Sequence, residues 1–311
     1  MKNILVVGSS NTDMIIKVPR IPRPGETVLG GDFSMAPGGK GANQAVAAAR
    51  AGGRVTFIAR VGDDVFGQQA LGNLGSDGID LRFVRRDGRA PSGVALINVG
   101  RDGENSISVA SGANALLSPD DVRGAGEAFD GADVLLLQLE TPIETVQAAA
   151  GMASARGIPV ILNPAPARPL EADLLAMAGV LTPNGTEAEI LTGVKIEGRE
   201  DVKKAASVLR ARGPRLVVVT LGDQGCYAAG EEFEGFVPAF KVRPVDTTAA
   251  GDVFNGALAV ALAEKRPLGD ALRFASAAAA LSVTRPGAQP SAPARAEIEE
   301  FLAAGPETRP A

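Results

Sequence analysis

The chain is 311 residues long, 45% hydrophobic and 22% charged, the balance of a soluble globular protein with a large core and not of a disordered or fibrous one. Lys and Arg number 31 against 36 Asp and Glu, a net charge of −5 with no basic block, so nucleic acid and anionic membrane surfaces are poor fits as partners. There is no histidine, no tryptophan and one cysteine, Cys226. This excludes His-based triads, His- or thiolate-ligated zinc and an internal disulfide, and leaves carboxylates, lysines or Tyr227 to move protons.

The N-terminal apolar run, residues 4–7, is too short for a secretory signal, and later apolar runs are too short to span a bilayer. A cytoplasmic protein is expected, in keeping with a single cysteine. In chain order, strands are predicted at 4–7, 55–59, 134–139, 160–162 and 216–220, each a short run of β-branched residues and leucines. Helical runs are predicted at 42–50, 67–74, 119–129, 142–155 and 202–212. Continuous apolar strands alternating with helices predict an α/β fold with a doubly wound, mostly parallel sheet covered on both faces. Sites in such sheets gather at the carboxyl ends of the strands, here 8–13, 138–140, 163–165 and 220–225. Two stretches break the rhythm. Residues 13–39 and 91–110 show strand-like alternation without helices, as in Met14-Ile-Ile-Lys-Val18 and Ser106-Ile-Ser-Val109, and predict a small β-sheet lid on a single domain covering 1–311. The tail 305–311, rich in Pro and charge, is expected to fray.

The segment Val245-Asp-Thr-Thr-Ala-Ala-Gly-Asp-Val-Phe-Asn-Gly-Ala-Leu258 runs into an apolar helical stretch. Ala249, Ala250 and Gly251 are small enough to let the backbone approach a ligand, and N–H groups at a helix start attract an anion. Asp252 falls in the first turn, where the helix dipole favours its ionised form. That arrangement fits a base taking a hydroxyl proton while the pocket holds a transferring phosphoryl group. It fits a capped helix with an acidic first turn equally well. The segment Ala36-Pro-Gly-Gly-Lys-Gly-Ala-Asn-Gln-Ala45 opens another helix: Gly38 and Gly39 suit a hinge, Gly41 and Asn43 a polyol, and a plain flexible turn explains the same residues. Asn11, Asp13 and Glu140 lie near expected strand ends, where carboxylates and amides suit a hydroxyl-rich ligand or solvated turns. Asn184-Gly-Thr-Glu187 reads as a helix cap with a reciprocal Glu, or as a pair orienting Mg²⁺ through water. Thr220-Leu-Gly-Asp-Gln-Gly225 suits a nucleotide's phosphates or a hairpin turn. Neither the P-loop pattern nor the Gly-x-Gly-x-x-Gly dinucleotide fingerprint is present, and the second absence counts against a dehydrogenase.

Five segments together carry a resemblance: Gly38-Gly-Lys-Gly-Ala-Asn43, Asn163-Pro-Ala-Pro-Ala-Arg168, Thr182-Pro-Asn-Gly-Thr-Glu-Ala-Glu189, Asp246-Thr-Thr-Ala-Ala-Gly-Asp252 and Arg285-Pro-Gly-Ala-Gln-Pro-Ser291. With these in order, the chain from Ile4 to about Leu302 resembles the ribokinase branch of the PfkB-type carbohydrate kinase family. The resemblance implies ATP-dependent phosphorylation of D-ribose at the 5-hydroxyl, in a ribokinase-like fold whose β-lid also pairs two subunits. A kinase of another pentose, deoxyribose or a nucleoside, and a sugar-binding regulator without catalysis, are the alternatives. By the same resemblance Asn11, Asp13, Gly39, Lys40, Gly41, Ala42, Asn43 and Glu140 bind the sugar, Asp252 is the base, and the amides of Ala249, Ala250 and Gly251 meet the phosphoryl group. Asn184, Glu187, Thr220, Leu221, Gly222, Asp223, Gln224, Gly225, Gly251, Asp252 and Ser276 form the ATP site, with Asn184 and Glu187 tied to Mg²⁺. Asp246, Thr248, Ser282, Arg285, Gly287 and Ser291 match loop positions that enclose K⁺, several through backbone carbonyls. The sequence departs from the family pattern at Ser276, where a His beside adenine is frequent, and at Asp223 and Gln224, which replace a neutral or basic pair.

Overall fold

The computed structural model describes residues 1–304, so the expectation for 305–311 lies outside the described residues. Its elements run β1 Asn3–Val7, β2 Asn11–Lys17, β3 Phe33–Gly38, α1 Lys40–Arg50, β4 Arg54–Gly62, α2 Val65–Ser76, β5 Asp80–Asp87, β6 Gly93–Val99, β7 Asn105–Ala110 and α3 Pro119–Gly124. They continue with β8 Val134–Leu137, α4 Ile143–Ser154, β9 Val160–Leu162, α5 Ala172–Met177, β10 Val180–Leu181, α6 Gly185–Thr192 and α7 Arg199–Arg210. The last are β11 Leu216–Thr220, β12 Cys226–Ala229, β13 Glu234–Val237, α8 Ala250–Ala263, α9 Leu268–Ser282 and α10 Arg295–Ala303.

Nine strands form the main sheet in the order β13-β12-β11-β10-β9-β8-β1-β4-β5. From β11 to β5 every pairing is parallel, and β12 alone is reversed, pairing antiparallel with β11 and with β13. The apolar strands read as continuous because both faces are covered. On β1, Ile4 and Val6 pack with α1, α8, α9 and α10, while Leu5 and Val7 pack with α3 through α7. The expected helix at 119–129 is two pieces: α3 ends at Gly124 and residues 126–129 form a separate 3₁₀ turn. The expected strand at 134–139 ends at Leu137, where the chain turns into the site.

A separate four-stranded sheet, in the order β3-β2-β6-β7, is made from the two stretches that broke the α/β rhythm. Its first strand is continuous with the loop leaving β1, so Asn11 and Asp13 reach from the main sheet into the small one. Alternation along β2 puts Asp13 on one face and Met14 and Ile16 on the other.

Helix α8 has no polar stripe. Every residue from Asp252 to Ala261 is buried, because α8 lies between the sheet, α1 and α9. Two glycines let α1 sit close to its neighbours, Gly256 where α8 meets it and Gly41 where the loop after β1 does. A Cβ on Gly256 would lie 2.6 Å from the Gln44 carbonyl oxygen, and one on Gly41 would lie 2.5 Å from the Ser9 amide nitrogen. These contacts set α1 against α8 on one side and against the loop after β1 on the other.

Candidate active site

The carboxyl ends of β1, β8, β9, β10 and β11 converge on the first turns of α1 and α8. Asp252, 6% exposed, is the only charged side chain on the buried surface of α8 among the described residues. Its Oδ2 accepts from Asn43 Nδ2 at 2.9 Å and its Oδ1 from Gln44 Nε2 at 2.9 Å. Burial pushes its carboxyl above the usual range, against the pull of Lys40 and of the two amide donors. Lys40 is held above its ordinary value, first by Asp252 and also by Glu140, Glu187 and Asp13. It stays a cation in a ring of carboxylates.

The loop before α8 holds a strained backbone at Ala249. Ala249 adopts a left-handed φ of 59°, a conformation that a residue with a Cβ reaches only at a cost of roughly 1–3 kcal/mol. With Ala250, Gly251 and Asp252 it lines a cavity of about 190 Å³, closed by Lys40, Asn163, Thr182, Asn184, Glu187 and Thr220. The Ala250 N–H, one of the three expected anion-binding amides, makes a long 3.3 Å turn bond to the Thr247 carbonyl. Next to this cavity is a larger one of about 650 Å³, with apolar walls from Phe240, Val242, Phe254 and Ala279. Thr220, Gly222, Asp223, Gly225 and Ser276 line it, whereas Leu221 and Gln224 do not. Residues 220–225 also make the hairpin between β11 and β12, the second of the two expectations for that segment.

For Asn184 and Glu187 the structure shows the cap. Asn184 Oδ1 accepts from the Glu187 N–H and Glu187 Oε2 from the Asn184 N–H, each at 2.8 Å, a reciprocal cap on α6. The two side chains also face the smaller cavity. Among the described residues no group of three or more Asp, Glu, His or Cys is placed to cage a metal. A divalent ion here would rest on one carboxylate, water and phosphate, the usual holding of Mg²⁺.

The expected sugar residues come together around Asp252. Glu140 Oε2 accepts from Ser9 Oγ at 2.6 Å and from the Lys40 N–H at 3.0 Å, which fixes the start of α1. Asp13 lies close enough to Glu140 and Asp252 that burial, then these two charges, raise its carboxyl from 3.8 to about 6, with Lys40 opposing. Asn11 Oδ1 accepts from Asn114 Nδ2 at 2.8 Å, which leaves the Asn11 amide donors for a ligand. Ala42 is the exception: it is fully buried in the core and its N–H donates to the Ser9 carbonyl, so its side chain serves packing.

Of the six residues expected around K⁺, Asp246, Thr248 and Gly287 are joined by hydrogen bonds. Asp246 accepts from the Thr248 N–H at 2.9 Å and from the Gly287 N–H at 2.8 Å, tying the loop before α8 to the turn after α9. Although burial pushes this carboxyl up, those bonds hold it below the usual range. The Arg285 side chain pairs with Glu297 of α10. Asn163 lies in the strand end 163–165 expected at the site, but sequence reasoning missed Thr182 and Asn255, which line the smaller cavity with it, and Gln44 and Asn114 behind it. One signal was available for Gln44: it is an amide beside Asn43 in an otherwise Ala-rich helix.

Comparison with known proteins gives a single picture. Residues 1–295 match the model of the pfkB family carbohydrate kinases. A ribokinase of Haemophilus influenzae is 45% identical over 97% of this chain and 98% of its own length. A ribokinase of Bacillus subtilis is 45% identical over 97% of this chain and 100% of its own. Among solved structures, Arabidopsis thaliana ribokinase complexed with ribose and ATP superposes with a TM-score of 0.89 at 35% identity, covering 97% of this chain and 99% of that one.

Proposed function

The chain belongs to the pfkB family of carbohydrate kinases, and from that premise we infer that it transfers the γ-phosphoryl group of ATP to the 5-hydroxyl of D-ribose, giving D-ribose 5-phosphate and ADP. The observation that carries the reading is the setting of Asp252, a buried carboxylate at the start of an apolar helix and beside a small polar cavity that opens next to a nucleotide-sized one.

Asp252 takes the proton of the 5-hydroxyl as that oxygen attacks the γ-phosphorus, and the bond to the β–γ bridging oxygen breaks to release ADP. The backbone of Ala249 to Gly251 and the Lys40 cation meet the negative charge on the transferring group. Asn11, Asp13, Asn43 and Glu140 hold the sugar hydroxyls, and the apolar walls around Phe240 and Phe254 receive the nucleotide base beside Ser276. Asn184 and Glu187 are the residues that would hold Mg²⁺ through water, and the ion would neutralise phosphate charge there. Asp246 and the oxygens of Thr248, Ser282, Arg285, Gly287 and Ser291 make an all-oxygen set that suits K⁺, which would steady the loop before α8.

The small sheet acts as a lid hinged next to Asn11 and as a pairing surface for a second copy. Its face away from Asp13 exposes Phe33 (60%), Met35 (52%) and Leu96 (53%), with Met35 and Leu96 in register on either side of Met14. Sedimentation of Leu96→Asp as a monomer, against a dimeric parent, tests this pairing. A cytoplasmic setting is supported by the lone, buried Cys226, and no helix among the described residues is long and apolar enough to cross a membrane. The reaction is tested by ADP release across a panel of D-ribose, 2-deoxyribose, other pentoses and nucleosides. Ribose should give the highest kcat/KM. Activity restricted to another acceptor would overturn the substrate, and ribose binding without ADP release would overturn the reaction.

A further inference from the structure

The amides behind Asp252 can be oriented from a group that only accepts. The Thr182 carbonyl takes a hydrogen bond from Asn163 Nδ2 at 2.9 Å, so Asn163 turns its Oδ1 toward α1. Gln44 meets that oxygen with its Nε2 at 3.1 Å, and the second hydrogen of the same nitrogen goes to Asp252 Oδ1 at 2.9 Å. Gln44 Oε1 is left facing β8, where Gln138 Nε2 donates to it at 2.6 Å. Every hydrogen-bonding direction of Gln44 is therefore dictated from strands β8, β9 and β10. Thr182 Oγ1 extends the chain to Asn255 Oδ1 at 2.6 Å, and Asn255 Nδ2 reaches the Gly251 carbonyl at 2.8 Å.

We propose that Gln44 is a positioning residue for the base, one that holds the Asp252 carboxylate ionised and aimed at the acceptor hydroxyl. Gln44 is 0% exposed and lines neither cavity, so its influence on the reaction passes through Asp252. With Oδ1 held by Gln44 and Oδ2 by Asn43, both donors favour the charged form, and the remaining lone pairs are free for the sugar proton. The other charges facing Asp252 are Lys40, Glu140, Asp13 and Glu187, and none of them bonds to Gln44. The same amide chain joins the carboxylate to the Gly251 carbonyl, so base and phosphoryl loop are registered to one set of strand ends. The proposal rests on Asp252 being the base.

The test is Gln44→Met, which keeps length and volume but has no donor, measured alone and in an Asp252→Asn background. In the parent background kcat should fall about 10- to 100-fold, the value of a hydrogen bond to a charged group. The acid limb of the kcat profile should move up by about one pH unit, with ribose and ATP affinities held within about threefold. In the Asp252→Asn background the second substitution should slow turnover by less than about twofold, because the group it acts on is gone. An unmoved acid limb, or an equal slowing in both backgrounds, would show that Gln44 only packs. Should Gln44→Met not fold, Gln138→Met takes its place: it leaves both donors on Asp252 and removes one of the two bonds that orient Gln44, the other being to Asn163. It must then move the acid limb the same way by a smaller amount, and an unmoved limb overturns the proposal. Near-normal turnover of Asp252→Asn would remove the base itself. A disabled Asp252→Asn with a normal Gln44→Met removes the role of Gln44 alone.

Discussion

Asp13→Asn should make the protein more stable at neutral pH and worse at holding sugar. The Asp13 carboxyl is raised from 3.8 to about 6 by burial and by the charges of Glu140 and Asp252. A carboxyl whose folded pKa exceeds its unfolded one favours the folded state only while protonated. That contribution is complete below about pH 4 and is lost as pH rises through about 6. Above that range the ionised group costs the fold at most about 3 kcal/mol, and nearer 1–2 kcal/mol once its partial exposure is allowed for. Asn cannot ionise, so the variant should be more stable by about 1–2 kcal/mol near pH 8 and by almost nothing near pH 3. Thermal midpoints should rise by a few degrees at the higher pH only, since 1 kcal/mol moves a chain of this size by roughly 2–4 °C. Ribose affinity, measured by calorimetry near pH 8, should drop about tenfold or more, because sugar hydroxyls lose a charged acceptor. A stability gain equal at both pH values would refute the electrostatic reasoning. A loss of stability near pH 8 would show that the carboxylate is held by bonds stronger than the repulsion it feels.

Two further outcomes follow from the same geometry. Asp252→Asn keeps shape and both amide neighbours but cannot take a proton, so kcat should fall about 10²- to 10⁴-fold while ribose still binds, read by ADP release and calorimetry. Ribose phosphorylation in Tris should rise on replacing choline chloride by potassium chloride at equal ionic strength, and Asp246→Ala should be slow in both salts. Unchanged activity across the salts, with no potassium carried in the protein, would remove the proposed cation loop.

The strands β1, β4, β8, β9 and β11 were readable because burial on both faces leaves a continuous apolar run. Their partners were not. β10 has two residues and makes its place through the parallel register of its neighbours. β12 and β13 are a hairpin whose composition carries no periodic signal, and α9 starts at Pro267 with no side-chain cap to mark it. The site follows the same division. Asn43, Glu140 and Asp252 stand in local motifs, and the structure puts them together. Gln44 and Asn114 act on residues 208 and 103 positions away, so no local pattern announces them. Lys40 was expected at the sugar, yet it also faces the smaller cavity with Asn184 and Glu187, which joins the two halves of the site.

The most direct measurement is the identity of the product. D-ribose with limiting ATP, followed by ³¹P NMR, should show one sugar phosphate, carried on the 5-carbon, formed in equal amount to ADP. A phosphate on the 1-carbon, or ADP appearing with inorganic phosphate and no sugar ester, would contradict the placing of the 5-hydroxyl against Asp252.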